Sequence, residues 1–236
     1  MDYRISASRK AAIHRSREIY KNASSIEELY AKKVLSSNVQ QMLFQSAVVM
    51  ACASVEQYLV SFFDDWLINL QKAKFKHVPS SLKTYFLMSR QRTSMKKLVV
   101  GGDEMQFIKE TDINQQYYSV LNERRLIKNI VDFKNFKFYA GRTFPSENNI
   151  KKLFSIIGLP RVFDELKSVS NRSFVFILNS FLDVRNAIAH RQAPDLTIDD
   201  MRNHLSAIRA FVLYLDKVLF WHLDNISDTA FWPSAS

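Results

Sequence analysis

Residues 39–74 read VQQMLFQSAVVMACASVEQYLVSFFDDWLINLQKAK. Apolar side chains occur at almost every angular position of a helix drawn through this segment: Leu43, Phe44, Val48, Val49, Met50, Val55, Tyr58, Leu59, Phe62, Phe63, Trp66, Leu67 and Leu70. A helix that is apolar nearly all round lies in the core of its protein. The segment therefore predicts a long central helix, followed by a break at Pro79.

The composition of the whole chain favours an all-α fold around this helix. Its 236 residues include only 4 Gly and 5 Pro, fewer turn residues than a sandwich, a barrel or a doubly wound α/β fold needs. Hydrophobic residues make up 47% and charged residues 24%, which is sufficient for a packed core. We expect one domain over residues 1–236, with residues 80–146 as an insertion within it.

Other helices are predicted on both sides of the central one. A basic amphipathic helix over residues 7–21 precedes it, and a second one is expected to start at Ser24 or Ser25 as its N-cap. Further helices are expected over residues 146–157, 161–168 and 173–190, with Gly158 ending the first of these three.

The last long helix begins at Thr197 and Asp200, which resemble a capping box. Its apolar residues step by four and three: Met201, Leu205, Ile208, Val212, Leu215 and Leu219. This heptad-like spacing suits either packing inside a bundle or a dimer interface.

Charge and cysteine content restrict the partners and the compartment. The 33 Lys and Arg against 23 Asp and Glu give a net charge of +10, which favours polyanions and nucleic acid first, although basic proteins without RNA partners are common. Cys52 is the only cysteine, so an intrachain disulfide and a cysteine-based metal site are excluded. We expect a cytoplasmic protein without a signal peptide, whose apolar runs are too short to cross a bilayer.

Three side chains that suit RNA cleavage occur together in residues 182–191, LDVRNAIAHR. Arg185 can clamp a phosphate through its fork of donors, and His190 ordinarily titrates near neutral pH. Asn186 can hydrogen-bond a phosphate oxygen or orient the other two. Together they supply proton transfer and charge stabilisation without a metal ion or other cofactor, and no set of three zinc ligands is evident.

The spacing of Arg and His alone is weak evidence, since Arg9 and His14 have the same separation. The context of the second pair is more specific: Arg185-Asn186-Ala187-Ile188-Ala189-His190 resembles the Arg-Asn-x-x-x-His form of the motif that defines HEPN domains. The apolar stretch 51–59, the stretches 146–150 and 157–159, and a motif helix next to last are similar to the RiboL-PSP-HEPN and MAE_28990-type branch. This branch often has Gly after the motif His, where this chain has Arg191.

The resemblance implies a dimerising helical bundle in which motifs from two protomers face one cleft. It also implies a metal-independent endoribonuclease of the toxin–antitoxin or anti-phage type, with RNA, a second copy and an antitoxin or defence-system protein as partners. Helix geometry agrees with pairing, because five positions place Arg185 and His190 about 140° apart. A frayed final turn or a second copy would bring them together.

Three further residues are candidates for supporting roles: Glu56, Asp183 and Arg191. A carboxylate in so apolar a helix needs a partner, so we expect Glu56 to pair with Arg185 or a backbone amide. His204 is expected at the surface, with a place in the His190 cleft as the alternative.

Two other hypotheses remain open. In the first, Arg185 and His190 only stabilise the bundle, with His190 at a helix C-terminus and Arg185 paired with Asp183 or Glu56. In the second, the protein is a non-catalytic HEPN module that dimerises and binds RNA or a partner protein.

Overall fold

The computed structural model describes residues 2–70, 79–82, 84–85, 146–190, 194–226 and 229–235. Within these ranges the chain is helical apart from connections and one isolated bridge between Ser6 and Ser234. The all-α prediction is confirmed. The insertion expected over residues 80–146 lies almost wholly outside the described residues, as does Arg191.

The helices are numbered here in chain order. They are α1 (Ala7–Ala31), α2 (Ser37–Leu70), α3 (Glu147–Ile156), α4 (Val162–Ser170), α5 (Phe174–Ala189) and α6 (Ile198–Ile226), followed by a short 3-10 turn (Thr229–Phe231). Helices α1 and α6 pack on α2 and on each other, and α5 packs between α2 and α6.

The first helix is longer than the sequence suggested. Ser6 caps α1 by accepting a hydrogen bond from the Arg9 amide at 3.0 Å, and the helix continues without interruption to Ala31. The predicted new start at Ser24 or Ser25 is wrong, and the Ser25 hydroxyl instead donates to the Lys21 carbonyl at 3.2 Å. Buried Ala23 keeps this region packed on the core, so tertiary contacts override the capping tendency of the serines.

The central helix is present, but it is not buried on all sides. Its inner side carries fully buried aromatic residues, among them Tyr58, Phe62 and Trp66. Its outer side exposes large apolar residues over about three turns: Val39, Met42, Leu43, Val49 and Met50. The interpretation of a helix apolar all round was therefore right about composition and wrong about burial.

By length and composition α2 could cross a membrane, so the expectation that the apolar runs are too short was wrong. Of its most apolar window, 56% is buried inside the fold. The core helix of a soluble protein has these same properties, and α2 packs on α1 and α6 as such a helix does.

Local signals at helix ends were accurate. Gly158 follows α3 at φ 84°, its amide donates to Ser155 and the Leu159 amide donates to Phe154, which together form a Schellman motif. The capping box of α6 is also confirmed, since the Asp200 amide donates to Thr197 Oγ1 at 3.1 Å and the Thr197 amide donates to Asp200 at 2.8 Å.

The heptad-like residues of α6, from Met201 to Leu219, are buried, so this seam serves the bundle itself. His204 of α6 contacts the ring of Phe181 in α5 edge-on, with ring centroids 5.1 Å apart. His204 is thus half-buried rather than at the surface as expected. Burial lowers its pKa, and the nearby Asp200 carboxylate partly opposes that shift.

A buried carboxyl group joins three parts of the fold. Asp216 of α6 is fully buried and accepts hydrogen bonds from the Tyr58 hydroxyl of α2 at 3.1 Å and from the Tyr3 hydroxyl at 2.5 Å. It also accepts from the hydroxyl and the amide of Ser6. Burial raises the pKa of Asp216 although these bonds oppose the shift. Four donors thus converge on one side chain.

Replacement of Asp216 by Ala should lower the free energy of unfolding by about 3 kcal/mol, because several buried donors lose their acceptor at once. Urea unfolding monitored by circular dichroism measures this change. The exposed Asp195 offers a matched control, and Asp195→Ala should change stability by less than about 0.5 kcal/mol. Equal stability of the two variants would show that the Asp216 network contributes little.

Stability should also fall with decreasing pH through His204. Since its folded pKa lies below the ordinary value of about 6.5, the unfolded chain binds the proton first as the pH falls. The contribution is therefore complete above about pH 6.5 and declines below it. In His204→Phe, the urea midpoint should depend less on pH between about pH 5 and 7 than it does in wild type. His14→Gln, at an exposed position, should leave that pH dependence unchanged. An unchanged profile in His204→Phe would contradict this assignment.

Candidate active site

The motif lies at the C-terminal end of α5 because of how that helix packs. Phe174, Leu178 and Phe181 are buried at successive turns and fix the inner side of α5 against the core. Arg185 follows Phe181 by one turn on this same side, and it is half-buried. The helix therefore places Arg185 at the groove between α5 and α2.

Helices α5 and α2 are in contact, and the charge of Arg185 acts on Cys52 of α2. Burial raises the pKa of the Cys52 thiol to about 12, the positive charge of Arg185 opposes that rise, and the charge of Glu56 adds to it. Arg185 and Glu56 thus both act on one thiol. The guanidinium also donates a hydrogen bond to Asn186 Oδ1, with Nη1 at 3.3 Å.

The expected partner of Glu56 is not found. Over the described ranges, Glu56 forms neither an ion pair with Arg185 nor a hydrogen bond to a backbone amide. Its side chain is only partly buried at the flank of α2, so water can solvate the carboxylate and no protein partner is required. Asp183 is exposed and does not pair with Arg185, as the two-residue separation on a helix dictates.

His190 ends α5, and its side chain is exposed. Its amide donates to the Asn186 carbonyl at 3.0 Å, and its φ of −94° and ψ of 12° keep the last turn closed. The final turn is thus not frayed, and Arg185 and His190 keep the wide angular separation that helix geometry gives them. Within a single chain, the side chain of Arg185 therefore points toward α2 and that of His190 points into solvent.

A residue that the sequence analysis missed fixes the segment after the motif. The side chain of Gln41 in α2 donates to the Leu196 carbonyl at 3.0 Å and accepts from the Leu196 amide at 2.8 Å. These two hydrogen bonds hold Leu196, two residues before α6, against α2. A glutamine within a strongly apolar helix was the signal for it.

The described part of the chain contains no group of three His, Cys, Asp or Glu side chains arranged to hold a metal ion. The end of α5 carries a cation, an amide and an imidazole, although the cation and the imidazole point in different directions. Such groups can bind a phosphate and transfer protons.

Comparison with known proteins places the chain in a family. The model of the family described as RiboL-PSP-HEPN matches residues 13–219, a range that runs from α1 through the motif of α5 and into α6. No curated protein and no solved structure gives a significant match. Since the matched range covers most of the chain, this protein belongs to the RiboL-PSP-HEPN family.

Proposed function

We propose that this protein is a metal-independent endoribonuclease of the toxin–antitoxin or anti-phage defence type, acting in the cytoplasm. The observation that carries the proposal is that, among the described residues, the side chains of Arg185 and His190 have no hydrogen-bond or ion-pair partner outside the motif. In the described residues, Arg185 has no carboxylate within ion-pair distance, and the side chain of His190 forms no hydrogen bond. The alternative in which Arg185 stabilises the bundle through Asp183 or Glu56 lacks these contacts.

Each motif residue has a chemical role in the proposed reaction. His190 takes the proton of the ribose 2′-hydroxyl, the 2′-oxygen forms a bond to phosphorus, and the bond to the 5′-oxygen breaks with proton transfer to that oxygen. Arg185 stabilises the negative charge on the phosphorane, and Asn186 orients the phosphate. The products are a 2′,3′-cyclic phosphate and a 5′-hydroxyl.

A second copy of the chain would complete the site. Because Arg185 and His190 diverge on one closed helix, two motifs facing each other supply the base, the acid and the cation together. The exposed apolar side of α2 supports this arrangement. Met42, Val49 and Glu56 recur every seven residues and share one face of α2. The charges of Glu56 and of the motif residue Arg185 both act on the Cys52 thiol, which links this face to the motif.

The first test is cleavage of a labelled oligoribonucleotide in chelator. Wild type should cleave it, and His190→Ala should reduce the rate by about 100-fold or more through loss of proton transfer. His14→Ala is the matched control, because His14 is also exposed and follows Arg9 at the same spacing. Dependence on added metal, or equal rates for wild type and His190→Ala, would contradict the mechanism. Binding of RNA without cleavage by either protein would support the non-catalytic module instead.

The dimer is tested through the outer side of α2. Met42 is 66% exposed, so Met42→Glu should leave the monomer fold intact while it places a charge in the proposed interface. Sedimentation should show wild type as a dimer and Met42→Glu as a monomer without cleavage activity. Ile68→Glu, at a 52% exposed position near the far end of α2, should remain an active dimer. A monomeric and active wild type would exclude a shared cleft.

A further inference from the structure

Helices α1 and α6 run antiparallel and bring basic side chains into two adjacent rows. At one end, Arg202 Nε donates to the Tyr20 hydroxyl at 3.1 Å. At the other end, Arg9 and Lys217 both lie over the ring of Tyr3, at 5.6 and 5.9 Å from its centroid. The start of α1 thus meets the later part of α6, and the middle of α1 meets the first turns of α6.

Two further arginines lie between these ends. Arg209 is seven residues after Arg202 and seven before Asp216, both of which contact the α1 side, so Arg209 occupies the same face of α6. Arg17 lies on α1 one turn before Tyr20 and is exposed. The row on α1 from Arg9 to Tyr20 is about 16 Å long, and the row on α6 from Arg202 to Lys217 is about 22 Å long.

These cations are poorly neutralised. Arg202 pairs with Asp199. In the part of the chain that the structure describes, no carboxylate forms an ion pair with Arg9, Arg17, Arg209 or Lys217. The buried Asp216 is linked to Arg9 only through the Tyr3 hydroxyl, which donates to Asp216 and accepts from Arg9. Rows of unneutralised cations create a positive potential that attracts a polyanion.

We propose that this α1–α6 basic face, formed by Arg9, Arg17, Arg202, Arg209 and Lys217, binds the phosphate backbone of single-stranded RNA outside the cleavage site. Two rows of cations fit a linear polyanion laid between them. Trp221 adds an aromatic ring at the Tyr3 end, with ring centroids 6.4 Å apart, and it is exposed enough to stack on a base.

The observations favour RNA over a membrane surface. A membrane-binding face combines cations with aliphatic side chains that insert into lipid. Here the exposed aliphatic residues are concentrated on another helix face, the outer side of α2 with Val39, Met42 and Met50. The basic face presents mainly guanidinium, ammonium and aromatic groups, with Ile5 as an exposed aliphatic residue near its Tyr3 end.

The proposal rests on the proposed function, since RNA is taken as the substrate, and it extends that function to substrate capture. Arg202 lies in the first turns of α6, six residues after Leu196, which Gln41 of α2 holds. The face therefore begins at the end of α6 nearest the motif in the chain and extends away from it. A long RNA can occupy both surfaces, whereas a very short one cannot.

The test measures binding of a fluorescein-labelled 20-nucleotide oligouridylate by anisotropy at several salt concentrations, in the His190→Ala background to prevent cleavage. Adding Arg209→Gln and Lys217→Gln should weaken binding roughly tenfold and reduce the salt-dependence slope by about 1.4, the value for two lost phosphate contacts on a single strand. The matched control, Lys152→Gln with Arg161→Gln, removes the same charge from exposed positions on α3 and before α4 and should leave both quantities unchanged.

If the control pair weakens RNA binding as much, the effect comes from net charge alone and the proposal is overturned. Unchanged RNA binding in the Arg209 and Lys217 variant would also overturn it. Competition by polyglutamate or by phosphatidylserine vesicles as effective as by unlabelled RNA would point to an acidic protein or a membrane and would also overturn it. Cleavage by the wild-type catalytic site is assayed separately on a 6-nucleotide substrate. If wild type binds RNA through the basic face but does not cleave this short substrate, the proposed nuclease function is refuted and the proposed RNA-binding face is not.

Discussion

The fold depends on one buried carboxyl group, that of Asp216. Removal of a carboxyl group from water is costly unless hydrogen bonds replace its hydration, and here Tyr3, Ser6 and Tyr58 provide them. Because these donors come from the N-terminal segment, the cap of α1 and the middle of α2, the requirement fixes the register of three helices at once. The antiparallel pairing of α1 with α6, and so the alignment of their basic rows, follows from that register.

Periodicity and capping chemistry predicted most of the helices, because both are encoded locally. The Schellman glycine at Gly158 and the capping box at Thr197 needed only their neighbours in sequence. The errors arose where distant packing decided the outcome. Ser24 and Ser25 resembled a helix start, yet burial of Ala23 keeps α1 continuous. The outer side of α2 could not be recognised as exposed, since composition does not say which side of an apolar helix meets its neighbours.

In the candidate site, too, local features were predicted from the sequence and contacts between distant segments were not. Arg185, Asn186 and His190 were identified from sequence because they lie close together in the chain, and the structure places them at one helix end. Contacts between distant segments were not predictable: Gln41 holding Leu196, and Phe181 against His204. The expected pairing of Glu56 with Arg185 failed for a related reason, because the position of Glu56 at the flank of α2 leaves it partly hydrated.

The spacing within the motif determines where its cation and its imidazole lie. Separations of three, four or seven residues would put both side chains on one face of α5, but a separation of five leaves Arg185 in the groove and His190 in solvent. In the dimer proposed above, the exposed apolar side of α2 is the surface that meets the second copy. An apolar interface cannot also attract a polyanion. In the proposed scheme that role passes to α1 and α6, where the cations lie away from the exposed apolar residues of α2 and the two surfaces do not compete.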